Sequence, residues 1–410
     1  MIVQTVIATD LLTPLGAYLR LRGEGRASFL LESVEHGRLG RYSLVGAGSR
    51  LVDLDDAEAC GEPVVGYVSY DHVAQLEPTV PMPQLGPDLP ESRFIVADTL
   101  VRFDHVSGMA EVLCGDPAEV ESQLEAPLGP IPNGSGAAGS LRRLPSRYEY
   151  ERIVGVAKDH IRAGDAFQIV LSQRAERPTS AGAIQLYRSL RRVNPSPYLF
   201  LLEFGDELAL IGSSPETLVK AEGRRASVNP IAGTTRRGEG DAERLLRSEK
   251  DRAEHVMLVD LGRNDLSRVC VPGSVHVERF LEAERFSHVT HLVSEVAGEL
   301  REDVSHFDLL RACFPAGTVS GAPKVRAMQI ISELEGHRRG VYAGAVGYAL
   351  PGEAFDTCIA IRTIVLRNGV AYLQAGAGIV ADSEPQAEQQ ECLNKLAAVE
   401  TAIRLAEARG

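Results

Sequence analysis

Between Pro197 and Pro230 four short apolar runs, PYLFLLEFG, ELALIGSS, ETLVKAEG and RASVNP, follow one another with almost nothing between them. Runs this close leave no chain for crossover helices, so they read as a meander of strands, entered from the strand-like AFQIVLSQ upstream. Earlier runs, ASFLLES, YSLVG, PVVGYVSYD and FIVADTLVRFD, also look like strands separated by turns. Helices come in blocks: one places Ile153, Val156, Ala157 and Ile161 at helical spacing, and others are expected from near Asp241, Val304, Pro323 and Ser383. AGAVGYAL, DTCIAIRTIVL and VAYLQAGAGIV form strands between the last two. Strands in runs and helices in blocks predict an α+β fold and disfavour an alternating Rossmann arrangement. Residues 127–141, PLGPIPNGSGAAGSL, are too rich in Pro, Gly, Ser and Ala to build a core. They are expected to link an N-terminal domain, 1–126, to a C-terminal domain, 142–410.

Composition narrows the function. With 43 basic against 56 acidic residues the net charge is −13, which argues against a nucleic-acid or anionic-membrane surface. A local basic pocket for a small anion stays possible. The six cysteines, Cys60, Cys114, Cys270, Cys313, Cys358 and Cys392, contain no CxxC and read as thiols in a reducing cytoplasm. MIVQTVIATDLLTPLG lacks a basic start and a signal-peptide apolar run, and no stretch approaches the ~18 apolar residues of a membrane helix. A soluble cytoplasmic protein is expected. QAGAGIV has neither the GxGxxG spacing nor the lysine of a nucleotide loop.

Two acidic motifs carry the first chemical signal. Glu388, Glu391 and Lys395 share a face of one predicted helix, and Asp251 and Glu254 lie in the helical-looking DAERLLRSEKDRAEHVMLVDL. Facing each other, such helices gather four carboxylates, a set of hard oxygens that suits magnesium; alone, they are solvated faces with Glu–Lys pairs. In PAGTVSGAPK, backbone N–H groups and the Thr318 and Ser320 hydroxyls offer a carboxylate site, or a plain helix start. His291, three residues after His288, belongs to no metal-ligand array and reads first as structural. Arg362, a charge inside an apolar run, needs an anionic partner, internal or bound. Tyr342 offers a hydroxyl or fills the core.

NPSPYLF, IGSSPETLVK, NPIAGT, AEHVMLVDLGRNDLSRVC, FPAGTVSGAPKVRAMQIISELE, GAVGYAL, DTCIAIRT and QAGAGIVADSEPQAE, in this order, resemble the chorismate-utilising enzymes, most closely the synthase component of anthranilate synthases. The resemblance implies a two-domain fold of large antiparallel sheets packed near orthogonally, with helices outside, and a magnesium-dependent site for chorismate. By it, Glu254 and Glu391 match the metal ligands, while Asp251 and Glu388 match the carboxylates that hold the metal's waters. Tyr342, Arg362 and the backbone of Gly376, Ala377 and Gly378 match residues that meet the enolpyruvyl carboxylate. Ala232, Thr234, Thr318, His291 and Lys395 match others lining the site. Glu216 matches the general acid, which requires a raised pKa.

The reaction turns on two positions. Members that add water carry a lysine base where this chain has Gln168, which can orient ammonia but cannot deprotonate water. Members that make aminodeoxychorismate carry a nucleophilic lysine where this chain has Ala232. The expectation is amination of chorismate at C2 to 2-amino-2-deoxyisochorismate, then pyruvate elimination to anthranilate assisted by His291. Asp251 leans towards the aminodeoxychorismate branch, which remains an alternative together with a halt at aminodeoxyisochorismate. Ammonia is expected from a separate glutamine amidotransferase, because the chain lacks that enzyme's cysteine and histidine signature. Glu32, Ser33, Pro197, Tyr198 and Leu199 resemble the family's tryptophan feedback site; otherwise they simply join the domains. A silent tryptophan-binding scaffold is the non-enzyme alternative.

Overall fold

The computed structural model describes residues 6–23, 26–33, 41–131, 134, 136–205, 208–285 and 289–408, except the side chains of Thr234 and Arg236. His288 lies outside the described residues. Two large sheets organise the chain, of twelve and ten strands. In the larger, neighbouring strands run Tyr42–Gly48, Ala27–Glu32, Tyr198–Glu203, Leu208–Ser214, Thr363–Arg367, Val370–Ile379 and Gln168–Pro178. In the smaller they run Ile231–Arg236, Val289–Glu299, Arg225–Val228, Thr217–Glu222, Ala354–Ile359, Ala345–Leu350, Val64–Val68 and Ser92–Val96. Neighbours pair antiparallel, as the closely spaced apolar runs require.

Alternation along the strands divides the core. Phe29, Phe200, Leu202 and Leu210 of the larger sheet pack between the sheets against Val65, Tyr67, Ile95 and Val346 of the smaller. On its other face, Leu199, Leu201, Ile211 and Leu373 meet Tyr187 and Leu190 of the helix Ala183–Val193 and Val399 and Ile403 of Pro385–Glu407. The outer face of the smaller sheet is covered by Glu249–Ser267 and His306–Cys313. Helices therefore lie outside a sandwich of sheets.

Three readings change. The stretch expected as one helix around Asp251 is two, Asp241–Arg247 and Glu249–Ser267, because the Ser248 hydroxyl caps the second by accepting the Asp251 N–H at 3.3 Å. DTCIAIRTIVL is also two elements: Ala354–Ile359 belongs to the smaller sheet, Thr363–Arg367 to the larger, and Arg362 sits at the crossover with φ of 50°. FIVADTLVRFD divides in the same way, into Ser92–Val96 and Thr99–Asp104. Strands from both sides of 127–141 enter both sheets, so β-pairing joins the two stretches: Ala27–Glu32 pairs with Tyr198–Glu203, and Val64–Val68 with Ala345–Leu350.

Candidate active site

The candidate site lies where the chain changes sheets. It passes from the larger to the smaller between Ser214 and Thr217, and returns between Ile359 and Thr363. The two crossovers are tied together: Ile359 N–H donates to Glu216 O at 3.0 Å and Ser213 N–H to Arg362 O at 3.2 Å. Glu216 and Arg362, 146 positions apart by number, thus become neighbours on a rigid seam.

Glu216 is buried, and its carboxyl accepts a 2.6 Å hydrogen bond from Thr318 Oγ1. Burial raises its pKa from 4.5 to about 7; the Thr318 bond, Lys395 and Arg362 oppose the rise and Glu254 adds to it. The carboxylate foreseen for the PAGTVSGAPK loop is therefore the protein's own, and Ser320 turns its hydroxyl back to Ala316 O. The Arg362 guanidinium has no hydrogen-bond partner among the described residues, and burial lowers its pKa while Glu216 opposes that. A desolvated guanidinium so placed has the chemistry to clamp a carboxylate.

Paired strands supply the floor. Gln168 opens its strand with Nε2 3.1 Å from Glu254 Oε1, and its Oε1 is buried without a partner. A Cβ on Gly378 would stand 2.2 Å from Gln168 Nε2, and one on Gly376 2.7 Å from the Tyr342 hydroxyl, so glycines are what admit both groups. Burial pushes the Tyr342 phenol up, keeping it a neutral donor. Lys395 Nζ bonds Gly376 O at 2.8 Å and pairs with Glu391 Oε1 at 2.8 Å.

His291 Nδ1 lies 2.9 Å from Gly233 O. A carbonyl only accepts, so Nδ1 carries the proton and the basic lone pair is on Nε2. Burial, with Arg362 adding, lowers the His291 pKa, while the Gly233 bond opposes the shift. Gly233 has φ of 67° in the irregularity between Ala232 and Thr234, and a Cβ there would stand 3.1 Å from Asp251 Cβ. The Thr234 side chain is outside the described residues.

Not every expected residue converges. The Ala377 methyl faces away, into a cluster with Tyr150, Ile169 and Leu171. Among the described residues no group of three His, Cys, Asp or Glu is close enough to hold a metal, so the four carboxylates are not gathered. The donors are nevertheless all carboxylates, which suits a hard divalent cation in kind. Burial raises the pKa of the Glu388 carboxyl, with Glu391 adding, while the Ser383 bond, Lys250 and Lys395 oppose the rise. The expected feedback residues divide between faces of the larger sheet. Glu32, paired with Leu199, meets Tyr187 and Arg191 on the helix side, while Tyr198 reaches across to Asp356 at 2.9 Å. Pro197 is buried beside them, and the Ser33 hydroxyl is buried without a partner. Sequence reading missed Arg339, buried behind Tyr342 and paired with Glu335 at 2.6 Å; Gly336 ends the helix between the two, so no helical spacing announced the pair.

Comparison with known proteins places the chain in a family. The family described as chorismate binding enzyme matches residues 27–401. The chain is 44% identical to the probable anthranilate synthase component 1 of Schizosaccharomyces pombe, covering 97% of this chain and 92% of that protein. It is also 44% identical to the anthranilate synthase component 1 of Thermus thermophilus, covering 97% of each. The crystal structure of anthranilate synthase component I from Streptococcus pneumoniae superposes with a TM-score of 0.79 at 35% identity, covering 96% of this chain and 98% of that one. The menaquinone-specific isochorismate synthase of Escherichia coli shares the fold, with a TM-score of 0.76 at 20% identity over 98% of this chain and 94% of that one. The chain belongs to the chorismate binding enzyme family, among its anthranilate synthase component 1 members.

Proposed function

We propose that this chain is the chorismate-converting component of an anthranilate synthase, adding ammonia to C2 of chorismate and then eliminating pyruvate. The observation that carries the reading is Glu216: a buried carboxyl with a pKa of about 7, held by Thr318 and flanked by the cations Lys395 and Arg362. That is an acid beside receptors for a dianion. Tyr342 and Arg362 bind the enolpyruvyl carboxylate and fix the ring. The ammonia lone pair forms the C2–N bond, the ring double bonds shift, and the C4–O bond breaks as Glu216 protonates the departing hydroxyl, releasing water. Gln168 orients the ammonia; its amide has no basic nitrogen for activating water, and Ala232 has no amine for covalent attack. His291 Nε2 then receives the C2 proton while the C3–O bond breaks, so pyruvate departs and an aromatic ring remains.

Magnesium held by Glu254 and Glu391, with Asp251 and Glu388 on its water ligands, would supply a Lewis acid for the ring carboxylate. A glutamine amidotransferase is the proposed ammonia source. Tryptophan is the proposed feedback ligand, and the buried unpartnered Ser33 hydroxyl beside Pro197 and Tyr198 supports that site. Glu32 is already engaged by Tyr187 and Arg191, so its carboxylate must change partners to meet an amino group. The test is direct: purified chain, chorismate, magnesium and an ammonium salt at mildly alkaline pH, with anthranilate fluorescence as readout. Unconsumed chorismate and no fluorescence would leave a silent scaffold. Chorismate consumed without fluorescence would mark a halt at 2-amino-2-deoxyisochorismate, or the aminodeoxychorismate branch towards which Asp251 leans; identifying the product separates the two.

A further inference from the structure

We propose that Arg339, which lies outside the substrate groove, is a positioning residue that fixes three substrate-site elements against one another; the inference rests on the chorismate reading above. Its residue is 3% exposed, yet four hydrogen bonds from the guanidinium are satisfied. Nη1 donates to Val319 O at 2.7 Å, next to Thr318, which holds Glu216. Nη2 donates to Val170 O at 2.7 Å, two residues from Gln168. The guanidinium carbon lies 5.6 Å from the centre of the Tyr342 ring and 4.7 Å from that of Tyr70, within cation–π range of both. One side chain therefore bonds the residue that follows the acid's holder and the ammonia-orienting strand, and lies over the carboxylate-binding tyrosine.

The charge is fully compensated, as a buried ion must be. Glu335 receives Arg339 Nε at 2.9 Å and Nη2 at 2.6 Å, and its Oε1 also accepts Ser172 N–H and Oγ–H, each at 2.8 Å. Ser172 is paired with Gly376, the glycine that admits the Tyr342 hydroxyl. The backbone is anchored too: Asp71 accepts the N–H groups of Arg339 and Gly340 at 3.0 and 3.1 Å.

Tyr342 packs in an apolar cluster with Tyr70, Met328 and Ala343, but not on every side. A cavity of about 290 Å³ opens beside it, lined by Arg339, Val341, Arg174, Arg367 and Tyr372 as well as Tyr342 itself. With space on that side, the cation over the ring and the groove wall at Gly376 fix its position. Lysine could keep the charge beside Glu335, but its three donors cannot replace the four hydrogen bonds of the guanidinium, and it has no planar cation to lie over two rings.

The test compares Arg339→Lys with Leu350→Ala, a core change in the Ala345–Leu350 strand, at a temperature where circular dichroism shows both folded. We expect Arg339→Lys to lower kcat at least tenfold and to raise KM for both chorismate and ammonia at least threefold. Leu350→Ala should stay within twofold of the parent on all three. If Arg339→Lys keeps all three within twofold, or changes them no more than the control, the inference is wrong. Should Arg339→Lys not fold, Ser172→Ala removes one bond to Glu335 and should lower kcat about threefold to tenfold; unchanged kinetics there would equally overturn it. A parent chain that does not convert chorismate at all sinks the functional reading instead, and the two failures are thereby distinct.

Discussion

Burial of the Glu216 carboxyl raises its pKa to about 7 although Thr318, Lys395 and Arg362 all favour its charge. Because the folded value lies above the ordinary 4.5, folding takes up a proton, and stability is lost as pH rises through that window. The cost is absent below about 4.5 and complete above about 7, on the order of 3 kcal/mol. Glu216→Gln should therefore raise the stability of the chain relative to the parent at pH 8 far more than at pH 5, in paired denaturant titrations. The same change should lower kcat by about 10²–10⁴-fold, since the acid is lost. In the parent, kcat/KM at fixed free ammonia should fall as pH rises through about 7, where the acid deprotonates. Gly378→Ala is the second residue-scale prediction. Its Cβ would collide only with the movable end of Gln168, so Tm should change little while kcat falls at least tenfold and KM for ammonia rises. An unaltered KM for ammonia would remove Gln168 from ammonia placement. The motifs named both Glu216 and Gln168. What they could not supply is the raised pKa of Glu216, which comes from burial in the folded chain and stands against the opposing bond from Thr318, 102 positions away.

Helix Pro385–Glu407 shows how an element divides its duties. Leu396, Val399 and Ile403 face the larger sheet, while Glu391 and Lys395 form a half-exposed pair at the groove. Half-exposed pairs contribute only ~0–1 kcal/mol, so Glu391→Gln should leave Tm nearly unchanged. Its effect should appear in magnesium titrations of activity, with the half-saturating concentration raised at least tenfold. An unmoved titration would take Glu391 out of the metal site. Helical spacing was enough to put these residues on one face. Spacing was not enough to place Arg362, because two apolar strands joined end to end look the same whether they stay in one sheet or change sheets. Only the left-handed turn at Arg362 marks the change, and arginine is not a residue whose type announces it.

At the scale of the molecule, both sheets draw strands from before and after residues 127–141. Expressed alone, residues 142–410 would leave Tyr198–Glu203 and Ala345–Leu350 with unpaired edges and the apolar core between the sheets open. That fragment should be insoluble or lack cooperative unfolding, and co-expression with 1–126 should restore a soluble chain pair. A fragment that melts cooperatively by itself would show that pairing between the stretches is dispensable. The short apolar runs and helical blocks sufficed for the α+β class, and the ordered motifs sufficed for the chorismate family, because both are written in local pattern. The same motifs named Glu216, Gln168, Thr318, Tyr342, Arg362 and Lys395. Tertiary structure alone decided that the Glu216 carboxyl is buried with a raised pKa, that Arg362 stands at a crossover, that Glu32 and Tyr198 lie on opposite faces of a sheet, and that the Arg339 guanidinium is bonded to the backbone of Val319 and Val170. Desolvation and the meeting of distant backbone segments have no counterpart in local sequence, so no pattern of neighbours could have carried them.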